Sequence, residues 1–140
     1  MPNSATLQTH QQQYANRAWD AIAAQKSQPL AADYKRQADH FPALVLQAGL
    51  AQALGFMLAK AKPGSAHGAY LNDLCAVISA VHGGAQDTRL RTQEILKADV
   101  STYQRHTRQY LAAAVWFKRL AQAELSDKTP ATAQAQGENT

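Results

Sequence analysis

A chain of 140 residues, 46% apolar and 17% charged, is long enough for one domain with its own core and too short for two. This composition excludes a disordered chain, and a net charge of +4 with a pI near 9.4 permits an anionic partner without requiring one. The single cysteine, Cys75, excludes an internal disulfide and suits a reducing compartment. The opening residues, MPNSATLQTHQQQ, have neither the basic start nor the apolar centre of a signal peptide. Gln47 and Gln52 interrupt the longest apolar run, so the chain reads as cytoplasmic, with no membrane partner.

Alternating strand patterns and Asn-Gly or Asp-Gly turns are missing, and the punctuation marks out helices. The first is expected over about Ser4 to Gln28, with Leu7, Tyr14, Ala18 and Ile22 on one face. A short second helix covers about Leu30 to Asp39. Pro42 suits a first helical turn and opens a third helix reaching about Lys60, with Phe41 as a staple-like residue before it. That helix is apolar nearly all round, the mark of a central element, and Gly49 inside it suits close helix–helix approach. After the KPGS break, a fourth helix spans about His67 to His82, with Tyr70, Leu74, Val77, Ile78 and Val81 in one stripe, and Gly83-Gly84 ends it. A fifth runs from about Asp87 to Lys97. A sixth runs from Ser101, which fits a capping box with Gln104, to about Ser126. The expected fold is all-α, a single bundle of five to six helices over residues 1–126, followed by a polar, disordered tail over 127–140.

The last helix carries the most information. Between Arg89 and Arg119 stand seven basic residues (Arg89, Arg91, Lys97, Arg105, Arg108, Lys118, Arg119) against Glu94 and Asp99, a local balance of +5. With about 100° per residue and Arg105 at zero, Tyr103, Tyr110, Ala114, Phe117, Ala121 and Leu125 cluster near 120–200°, a core stripe. Arg108 and Arg119 fall at about −60° and −40°, in one sector with Arg105, and Trp116 falls at about +20°. Lys118 lies at the edge of the core stripe. Trp116 has two readings: a second apolar seam with Val115 and Leu120, which is the more ordinary, or a stacking surface among guanidiniums. Burying three arginines is costly, so they face solvent or an anionic partner, and Arg17 would extend the surface if the first and last helices pack side by side.

Catalytic, metal and cofactor signals are missing. His10, His40, His67, His82 and His106 are scattered, and none forms a pair at metal-binding spacing. Cys75 sits beside an apolar stripe and suits a small buried side chain better than a nucleophile. Neither KPGS nor HGGAQ has phosphate-loop spacing, and Asp73 and Asp87 lack a partner carboxylate.

Three segments, FPALVLQAGLAQALGF (41–56), YLNDL (70–74) and YLAAAVWFKRLAQAEL (110–125), together resemble the small α-helical subunit of the type III-B CRISPR RAMP (Cmr) effector complex. The resemblance covers about Arg17 to Leu125; a polar residue would be expected before Gly49, where Ala48 stands. It implies a non-catalytic subunit stacked in several copies along a ribonucleoprotein filament, among the other Cmr subunits. Such a subunit helps hold the guide RNA and its single-stranded target RNA, and the resemblance implies no cofactor. Arg17, Arg105, Arg108, Trp116, Lys118 and Arg119 are the candidate RNA contacts. A helical protein–protein adaptor or dimer without nucleic acid stays open. A helix-turn-helix DNA binder is weaker, for want of a short helix pair with a compact turn and a basic second helix.

Overall fold

A computed structural model of the protein describes residues 7–127, and six helices account for most of them: α1 His10–Gln25, α2 Ala31–Ala48, α3 Leu50–Lys60, α4 Ala66–His82, α5 Thr88–Lys97 and α6 Val100–Glu124. No strand occurs among the described residues, and none of these helices is long and apolar enough to cross a membrane. The expected tail from residue 128 and the expected start of the first helix at residues 4–6 lie outside the described range. Asp127, assigned to that tail from sequence, accepts a bond from Lys35 Nζ at 2.7 Å.

Local chemistry sets the boundaries. Thr9 and Gln12 form a reciprocal capping box, with Gln12 N–H donating to Thr9 Oγ1 at 3.1 Å and Thr9 N–H to Gln12 Oε1 at 2.8 Å. α1 therefore starts at His10, and Leu7 stands exposed before it rather than on the core face. Tyr14, Ala18 and Ile22 are buried as their spacing predicts. On α6 the cap is Asp99, whose carboxylate accepts from Thr102 N–H at 2.8 Å, so Ser101 already lies inside the helix. That bond holds the Asp99 carboxyl below the usual carboxylate range.

The largest departure concerns Pro42 and Gly49. Pro42 is buried inside α2, which runs unbroken from Ala31 to Ala48 instead of restarting there. The break falls at Gly49, where φ is +88° and ψ 159°, a region that only glycine adopts readily. Gly49 thus separates two helices rather than easing an approach within one. Tyr103 of α6 closes this corner, its hydroxyl accepting from Ala51 N–H at 2.9 Å and so satisfying one of the free amides that open α3. Nor is this region central on every side, since Leu46 is 74% exposed and Phe56 also faces outward.

α1 and α6 run parallel: Trp116 bonds Gln11 near one end of the pair and Glu124 meets Lys26 near the other. α2 runs against α6, since Gln122 bonds Asp39 and Lys35 bonds Asp127, while Tyr103 reaches Ala51 beyond the far end of α2. α4 opposes both α1 and α6, with His82 at its end against Tyr14 and Tyr70 near its start against Phe117. Tyr34, Phe41 and Phe117 meet Tyr70 edge-on at centroid separations of 5.6–5.7 Å, forming the aromatic centre of the core.

One of the seven basic residues of the 89–119 stretch is not on the surface. Arg91 is 2% exposed and packs over the turn after α4. Its Nε donates to Ala85 O at 2.9 Å, and its Nη2 donates to Ser79 Oγ at 3.0 Å and to Gly83 O. A cation among carbonyls at a helix carboxy-terminus is favourably placed by the helix dipole. The turn needs glycine for a matching reason: a Cβ on Gly84 would stand 2.6 Å from Arg91 Nη2.

Candidate nucleic-acid interface

The candidate residues separate into groups once α6 is docked. α6 turns Tyr110, Phe117 and Ala121 inward and leaves Arg105, Arg108 and Arg119 exposed on its outer face, as their spacing predicts. Among the described residues, none of the three forms an ion pair. The guanidinium of Arg119 lies over the Trp116 ring, 5.8 Å from its centroid.

Trp116 is partly buried against the core, and its indole N–H donates to Gln11 Oε1 of α1 at 2.7 Å. It is therefore a seam residue between α1 and α6 whose outer edge remains beside Arg119. Lys118 is half-buried and stands one turn before Gln122, whose amide bonds Asp39 of α2 at 3.0 Å. It belongs to the α2 flank, away from the three arginines. Arg17 is exposed, but Gln11 and Lys26, which reach α6, sit about 120° and 180° round α1 from it. The two helices do pack side by side, yet Arg17 lines a separate surface depression with Gln13, Asn16 and Asp20.

Sequence periodicity missed Trp19. It is 49% exposed and lies about 20° round α1 from Lys26, on the outer side of the α1/α6 seam. The signal was available, because Trp19 falls off the Tyr14–Ala18–Ile22 stripe, but it meant nothing until α6 was known to lie beside that flank. The face thus combines three arginines that form no ion pair among the described residues and two tryptophans, from two helices.

Several other polar groups of the fold are engaged within it, although the buried Tyr70 hydroxyl and His106 Nδ1 have no hydrogen-bond partner among the described residues. Tyr34 O–H donates to Asp73 Oδ2 at 2.7 Å, and burial raises the Asp73 carboxyl above its ordinary value. A cavity of about 740 Å³ lies between the α1–α2 and α3–α4 turns and the start of α5. Among its polar walls, Thr88 donates to Asn72 at 2.7 Å and Asp87 caps α5. No group of three or more His, Cys, Asp or Glu side chains capable of holding a metal ion occurs among the described residues.

A family model described as CRISPR-associated protein (Cas_Cmr5) matches residues 10–124, from the first residue of α1 to the last of α6. The chain belongs to the Cmr5 family. A relative from Thermus thermophilus, described as CRISPR system Cmr subunit Cmr5, is 36% identical over 121 residues, which cover 86% of this chain and all of that one. The crystal structure of a CRISPR-associated Cmr5 family protein from Thermus thermophilus superposes with a TM-score of 0.76 at 37% identity, covering 85% of this chain and all of the other. The Cmr5 match therefore takes in the whole bundle, including both helices of the arginine and tryptophan face. It also agrees with the family to which the three quoted segments point.

Proposed function

We propose that this chain is the small, non-catalytic subunit of a type III-B Cmr effector, helping to hold guide RNA and single-stranded target RNA. The observation that carries the RNA part is the outer face of α6, where Arg105, Arg108 and Arg119 stand exposed and form no ion pair among the described residues. Cations of this kind grip a phosphate backbone without reading sequence, which leaves recognition to base pairing with the guide. Membership of the Cmr5 family supports the assembly part, with the other Cmr subunits as partners.

Stacking of several copies has support of a different kind. Leu46 stands one turn before Gly49, and Leu96 and Val100 flank the α5–α6 junction near the Tyr103–Ala51 contact. All three are exposed, Val100 by 73%, so one pole of the bundle carries apolar side chains without cover in a single copy. A copy stacked on that pole would cover them. The native mass of a complex reconstituted from this chain, its partner subunits and guide RNA tests both parts. More than one copy of this chain per complex is expected; a single copy removes stacking, and absence from the complex removes the assignment.

A further inference from the structure

We propose that the outer side of the α1/α6 seam is a stacking site for an unpaired RNA base, with the Trp19 indole as its platform. The proposal rests on the RNA-holding reading above and assigns one contact within it.

The two ends of the seam are fixed by the Trp116–Gln11 hydrogen bond and the Lys26–Glu124 ion pair at 3.1 Å. Trp19 lies between them along α1, so the α6 residues across from it fall between Trp116 and Glu124, the stretch that holds Arg119. The core side of α1 is filled by Ala18 and Ile22, both fully buried, which leaves Trp19 on the outer side. The two indoles then have different standings. Trp116 has its N–H engaged by Gln11 and Arg119 over its ring, so it anchors the seam and steadies that guanidinium. Trp19 makes no ring contact with another aromatic or cation among the described residues, and about half of its surface meets solvent.

An open indole across from the Arg119 end of a row of guanidiniums matches a nucleic-acid strand better than a proline-rich peptide. Both ligands use the aromatic face, but only a polyanion uses Arg105, Arg108 and Arg119 as well. The strand must be unpaired where it meets Trp19, because a base inside a duplex has both faces closed by its neighbours.

The test is a reconstituted complex, built with full-length chain, guide RNA and partner subunits, loaded with target RNA carrying 5-iodouridine and irradiated. A crosslink mapped to Trp19 is expected. Trp19→Phe should keep RNA affinity near wild type, and Trp19→Ala should weaken it roughly fivefold to a hundredfold. The melting temperature should hardly move, since half-exposed positions away from the core contribute little. Should Trp19→Ala lose its fold, Trp19→Lys, which keeps a long stem but no ring, carries the same expectation. RNA held with wild-type affinity by the ring-free variants, and crosslinked elsewhere on this chain, overturns the stacking site while leaving the RNA-holding reading intact. Loss of assembly before loss of RNA assigns the indole to a protein contact and also overturns it. An intact complex in which no residue of this chain crosslinks, and in which the three arginines prove dispensable, ends both readings.

Discussion

At the scale of single residues, the contacts that decide local structure are those between side chains and backbone at helix ends. Gly84 and Arg91 are the sharpest case. Gly84 has φ +93°, and a Cβ there would press on the guanidinium that binds Ser79, Gly83 and Ala85. Gly84→Ala should cost about 1–3 kcal/mol and lower the melting temperature by several degrees; an unchanged melting curve would contradict the packing. Little of this was legible in the sequence, where Arg91 counts as one more surface cation, because no pattern distinguishes a cation that turns back onto the preceding helix. The histidines give a pH prediction. Burial, then His10 and Arg91 nearby, holds His82 below the ordinary imidazole value, and Tyr14 O–H is bonded to its Nε2. Burial and then Lys60 do the same for His67, and burial with Arg91 and Arg105 for His106. Each of these groups binds a proton more weakly in the folded state than in the unfolded chain. Their contribution to stability is therefore complete above pH 6.5 and lost as pH falls through their lowered folded values. Denaturant melts between pH 7 and pH 5 should show falling stability, with a shallower slope for His82→Gln; equal slopes for the two proteins would count against the lowered His82.

At the scale of elements, six helices were legible because their apolar stripes follow the helical period and glycine, proline and serine punctuate them. Two boundaries were misread for physical reasons. Pro42 is acceptable in a first helical turn, yet it also survives within a helix when burial of the surrounding face offsets the lost hydrogen bond, as it does in α2. Gly49 has a local sequence compatible with a continuous helix, and only the docking of Tyr103 against α3 reveals the corner. The start of α6 offers a direct check, since two caps compete on paper. Asp99→Ala should lower the melting temperature by removing the acceptor for Thr102 N–H, whereas Ser101→Ala should hardly move it. Thermal melts of the two variants decide the matter, and a larger loss for Ser101→Ala would reverse the assignment.

At the scale of the whole molecule, the bundle brings α1 and α6 side by side in parallel, and that single arrangement makes the candidate face. The arginine half of the face was legible, because one helix and its period are enough to group Arg105, Arg108 and Arg119. Its tryptophan half was not, since Trp19 gains its neighbours only through tertiary packing. The same packing places Arg17 and Lys118 apart from the three arginines, a separation that one helix and its period do not reveal. The central claim is that a member of the Cmr5 family holds RNA by its phosphates through the outer face of α6. The most direct measurement is target-RNA retention by the reconstituted complex across a salt series, comparing wild type with the combined Arg105→Ala, Arg108→Ala and Arg119→Ala variant. Weaker retention for every RNA sequence is predicted, with the salt slope shallower by about 0.7 for each phosphate that is no longer neutralised. Wild-type retention and an unchanged slope in a fully assembled complex would contradict it.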